Sequence, residues 1–84
     1  MPDIMLESIY RGIGERIAKR RQEWHVTQSA LSQKTHLPIG RIEMGLDTPS
    51  ITALYSIAHA LCCPVAWLLP ESENEEQHDQ TRKS

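Results

Sequence analysis

The apolar positions of this chain recur at helical intervals, and they stop abruptly after Pro70. Over residues 7–24, Ile9, Ile13, Ile17 and Trp24 fall on one side of a helix, with Arg16, Lys19, Arg20 and Glu23 around the rest. Gly12 and Gly14 weaken its first turns, so a start near Ile13 is open, with residues 4–10 as an arm or an extra turn. After a corner at His25-Val26, the hydroxyl of Thr27 can cap a second helix over 28–35. Leu37-Pro38 follows, and Pro fits a first helical turn, where its missing N–H has no partner to lose. That predicts a third helix over 38–44, ended by Gly45. Ser50 then caps a strongly periodic segment, 51–61, in which Ile51, Leu54, Ile57, Ala58 and Leu61 share a face. Residues 64–69 fit one short closing helix.

The predicted class is therefore all-α, and the composition agrees with it. The 84 residues are 39% hydrophobic and 5% aromatic, with no Phe and four Gly, which suits packed helices better than a turn-rich sandwich. That length supplies one modest core. Residues 71–84 contain no aliphatic or aromatic side chain and are expected to form a solvated, disordered tail. The organisation read here is an arm or helix extension over 1–12, a domain over 13–70 and an acidic tail over 71–84. No apolar run approaches the roughly 20 residues that cross a bilayer. No secretory leader precedes the first helix either, so no membrane is expected and the chain is placed in the cytoplasm.

Charge sharpens this picture. Residues 1–70 carry seven Lys and Arg against six Asp and Glu, a net of +1, whereas 71–84 carry two against five, a net of −3. The tail makes the protein acidic, and its charge could shield a basic partner segment. Within the body every basic residue lies at or before Arg41, with Arg11, Arg16, Lys19, Arg20 and Arg21 gathered in the first helix. Cys62 and Cys63 are adjacent, which argues for reduced core or half-core thiols. No His spacing around them makes a metal site, and no cofactor is expected. There is no nucleophile beside a base, no pair of facing carboxylates and no Gly-rich phosphate loop, so the sequence does not read as an enzyme.

The joints between the helices resemble a known family. Thr27-Gln28, Leu31, Arg41-Ile42-Glu43 with Gly45, Pro49-Ser50, Ala60-Leu61 and Val65-Ala66-Trp67-Leu68-Leu69 look like the lambda-repressor/Cro-type helix-turn-helix domains of the Xre group, over residues 13–69. The resemblance implies five helices, a third helix entering the major groove of double-stranded DNA, the start of the second on the phosphate backbone, and a homodimer reading two half-sites as a repressor. It implies that Gln28 contacts DNA, where the helix dipole also favours a phosphate. It further pairs an Arg near the end of helix 1 with a Glu near the end of helix 3, here Arg21 and Glu43. Spacing independently puts Arg21 on the core side of its helix, where it needs a partner.

One departure from the family is large. Several polar residues should precede the core Ile of helix 3, but here Leu37 is followed by Pro38, Ile39, Gly40, Arg41 and Ile42. If Ile39 and Ile42 are the core positions, the helix lacks roughly three residues, about one turn. Pro38, Ile39 and Gly40 offer no side-chain donor or acceptor to a base edge, which leaves Arg41. Asp47 stands in the loop after helix 3, where a cation would usually meet the backbone. His36 stands where a left-handed Gly is usual. Three outcomes remain open: a rebuilt DNA surface with relaxed specificity, a protein-binding module such as an antitoxin or anti-repressor, or an inactive copy. The expected DNA contacts are Gln28, Lys34 and Arg41, with Arg16 and Arg20 as further phosphate candidates and Pro38 and Gly40 in the segment facing the groove. Trp67-Leu68-Leu69 is expected to close the core, with a dimer contact as its other use. Residues 4–10 would extend the core or form a dimer arm, and Tyr55 and His59 would face solvent.

Overall fold

The computed structural model describes residues 4–70, and the expectations for 71–84 lie outside them. Four α-helices and a final 3-10 turn make up the described residues, with no strand among them: α1 (Ile4–Glu23), α2 (Gln28–Thr35), α3 (Ile39–Glu43) and α4 (Ile51–Ala60), then Val65–Leu68. The fifth helix implied by the resemblance is thus a single 3-10 turn. At three residues per turn, Val65 and Leu68 share a side; Leu68 is fully buried while Trp67 is 56% exposed. Of the Trp67-Leu68-Leu69 motif, only Leu68 closes the core.

Helix α1 begins at Ile4 rather than near Ile13, and it runs through both glycines. The reason is contact, not propensity. A Cβ built on Gly14 would lie 2.5 Å from the Ile42 carbonyl oxygen and closer still to that of Glu43. Gly14 is therefore where α1 crosses the end of α3, and a side chain there would separate them. Ile13 and Ile17, one turn apart, are buried at 5% and 0% exposure. Trp24, expected beside them, is exposed, because α1 ends at Glu23 and His25 turns left-handed (φ 57°) just beyond. Met5, Leu6 and Ile9 are helical and largely exposed, so they do not extend the core.

Both expected caps form. Thr27 Oγ accepts from the Ala30 N–H at 3.0 Å, and Ser50 Oγ from the Ala53 N–H at 3.1 Å. Helix α2 ends at His36, which is left-handed (φ 62°, ψ 34°) and donates its N–H to the Ser32 carbonyl. Helix α3 has five residues; Pro38 precedes it and Met44 follows it, one residue shorter at each end than the pattern predicted. Along α4, Leu54, Ile57 and Ala58 are buried, but Ile51 is exposed at the helix start. These side chains meet Ile13, Ile17, Leu31, Ile39, Ile42, Leu61 and Leu68 in one core. Tyr55 and His59 face solvent, as does Cys62, which is not a core thiol; Cys63 is half-buried and burial pushes its thiol pKa up.

Candidate nucleic-acid interface

Helices α2 and α3 are fixed to α1 through one carboxylate. Glu43, at the end of α3, accepts from Arg21 Nε at 2.7 Å on one oxygen and from Arg21 Nη2 at 3.0 Å on the other. The two side chains are 11% and 6% exposed, so the bidentate pair sits largely out of water. Arg21 Nη1 also donates to the Val26 carbonyl at 2.8 Å, which fastens the corner between α1 and α2. The hydrogen bond to Glu43 raises the guanidinium pKa further, against the opposing effect of burial. The guanidinium therefore stays charged.

Gln28 opens α2, and its amide is drawn into the same joint. Its Nε2 donates to Glu43 Oε1 at 2.7 Å. Its Oε1 lies 3.4 Å from where a Cβ on Gly40 would stand, so Gly40 leaves the room in which the amide rests over α3. No acidic residue occupies the first turn of α2, and the positive end of its dipole is not offset from within the helix. Gln28 is thus at the expected place, with its side chain engaged by Glu43.

The other expected contacts are distributed unevenly. Lys34 is exposed in the last turn of α2. Arg41 is exposed on α3, but its Nε is 3.1 Å from Asp47 Oδ2, so the loop acid holds the one base-reading candidate of α3. Pro38 is exposed ahead of α3, whose first residue, Ile39, is already fully buried. No helical turn stands between them in which polar side chains could point outward. The Ile39 N–H instead donates to Ser32 Oγ at 3.3 Å, a bond across the turn to α2.

Arg20, a phosphate candidate from sequence, is turned inward. Its Nε and Nη2 donate to the carbonyls of Leu61 and Cys62 at 3.2 and 2.9 Å. Its guanidinium lies 5.1 Å from the Trp24 ring and 5.0 Å from the Trp67 ring. Sequence reasoning missed this clamp. Its local half, Arg20 one turn before Trp24, was visible in the spacing; the half supplied by Trp67 and the end of α4 was not. Arg16 lies elsewhere, on an outer groove of α1 with Arg11 and Lys19. Among the described residues no His, Cys, Asp and Glu group could hold a metal ion, and no helix is long and apolar enough to cross a membrane.

Two short helices joined by a tight turn, braced by α1 and α4, define a helix-turn-helix fold. The fold is similar to that of the restriction-modification controller protein C.AhdI from Aeromonas hydrophila, with TM-score 0.65 and 23% identity over 68% of this chain and 91% of that one. It is also similar to the DNA-binding domain of BldD, with TM-score 0.68 and 19% identity over 76% of this chain and 97% of that one. No family model and no curated protein matches the sequence.

Proposed function

We propose that this chain is a cytoplasmic, homodimeric regulator of repressor type that binds double-stranded DNA largely through its backbone and discriminates weakly between sequences. The observation that carries the reading is the five-residue α3, which starts on buried Ile39 within an otherwise intact helix-turn-helix scaffold. The start of α2 meets a phosphate beside Gln28, Lys34 at the far end of α2 meets the backbone further along, and Arg41 exchanges Asp47 for the DNA backbone or a guanine edge. Each phosphate contact adds salt dependence and no sequence information. A fold shared with a DNA-binding domain supports this assignment.

Fluorescence anisotropy of labelled duplexes, one from the region upstream of the coding sequence and one scrambled, tests it at two salt concentrations. Saturable binding that weakens with salt and differs little between the duplexes is expected. Absence of binding by folded protein would overturn the proposal. It would favour the second reading, a protein-interaction module. One observation supports that alternative: Met44, Leu46 and Ile51, around the loop after α3, are 67%, 57% and 71% exposed.

A further inference from the structure

The basic side chains of α1 divide into two sets. Arg20 and Arg21 are engaged within the fold, by the carbonyls of Leu61 and Cys62 and by Glu43. Arg11, Arg16 and Lys19 instead line an open groove of about 520 Å³ on the outer side of the helix, with Ser8, Gly12, Glu15 and Pro70. Among the described residues none of these three cations has an ion pair. Glu15 offsets one of them, and the groove keeps an excess of positive charge.

The wall of this groove is also where the described chain ends. A Cβ on Gly12 would stand 3.1 Å from Cβ and Cγ of Pro70, so the absence of a side chain at 12 lets Pro70 press against α1. The sequence that leaves from that point is Glu71-Ser72-Glu73-Asn74-Glu75-Glu76, followed by Asp79, and no Lys or Arg intervenes before Arg82. Reach is sufficient: Arg11 and Lys19 are about 12 Å apart along the helix axis, and six extended residues span roughly 20 Å. A tether this short also gives the acidic segment a high effective concentration at the groove.

We propose that the acidic segment 71–79 folds back onto the outer face of α1, with its carboxylates pairing with Arg11, Arg16 and Lys19. The docked segment withholds three cations from any other polyanion. Its consequence for DNA rests on the function proposed above; the docking itself does not.

The test uses the full 84-residue chain, comparing wild type with the variant E71Q/E73Q/E75Q/E76Q by amide proton–nitrogen correlation spectra. At low salt the two spectra should differ at Ser8, Gly12, Glu15, Arg16 and Lys19. The differences should vanish at about 0.5 M salt, where screening is short-ranged, and should be unchanged on tenfold dilution. Spectra that agree along α1, or that differ only in residues away from the groove, would overturn the docking. Differences that fade on dilution would overturn it too, since the occupant would then be the acidic segment of a second copy. In parallel, the variant should bind a random duplex about threefold or more tightly than wild type at low salt. Unchanged affinity beside the spectral differences overturns only the competition with DNA, and failure of both forms to bind DNA overturns the proposed function while the docking stands.

Discussion

Gly14 allows the backbones of α1 and α3 to touch, and that contact sets how α3 is presented. Gly14→Ala forces the added methyl into the carbonyls of Ile42 and Glu43, so the helices must part. Overpacking of this kind costs about 1–3 kcal/mol, and a fall in the urea midpoint of that size is expected. The two thiols give a second prediction at this scale. Cys62 is exposed, whereas Cys63 is half-buried with its thiol pKa raised by burial. A raised pKa leaves less thiolate at a given pH, so a thiol reagent near pH 8 should modify Cys62 first. The slow phase from Cys63 should speed up as pH rises further, and Cys62→Ser should abolish the fast phase. Single residues were legible in the sequence where their chemistry is local. Thr27 and Ser50 cap within three residues, and the left-handed turn at His36 is the one the family resemblance implied. Gly14 was misread as a weak point, because the carbonyls it makes room for, those of Ile42 and Glu43, lie 28 and 29 residues further along the chain.

At the scale of elements, two arginines on neighbouring positions of α1 hold opposite sides of the domain. Arg21 fastens α3 and the α2 corner through Glu43 and Val26, and Arg20 fastens the end of α4 through Leu61 and Cys62. Glu43→Ala leaves a guanidinium that is 11% exposed without its carboxylate. Breaking such a pair from one side costs about 3 kcal/mol, measurable as a loss of unfolding free energy in urea. Arg20→Met keeps the packing of the stem and removes the donors and the ring contacts. A loss of about 2 kcal/mol is expected, with a change in tryptophan emission, and with a smaller effect on DNA affinity than Arg41→Ala. The helices themselves were legible because their period is carried by Ile13, Ile17, Leu31, Leu54 and Ile57, all buried. Their ends were less so. Trp24 and Ile51 fit the period but lie at or past a helix end, where the face no longer meets the core.

At the scale of the molecule, a helix-turn-helix frame carries an α3 of only five residues, which begins on buried Ile39. The short helix was legible once the segment was set against the family it resembles with Ile39 and Ile42 taken as core positions, and both are buried in a five-residue helix. What the sequence could not reveal is how the surviving polar groups are engaged: Gln28 by Glu43, Arg41 by Asp47 and Arg20 by α4. These bonds join residues whose side chains meet only once the helices have packed. They leave few free polar groups on α2 and α3 to meet base edges, which is why weak discrimination between sequences is the behaviour expected. Selection of bound duplexes from a randomised pool, followed by sequencing at low salt, tests this most directly. The account predicts that the protein retains duplex DNA while the recovered pool keeps nearly the base composition it began with. Convergence on one motif, enriched about 100-fold or more over the pool, would contradict it by showing that this shortened α3 still reads bases.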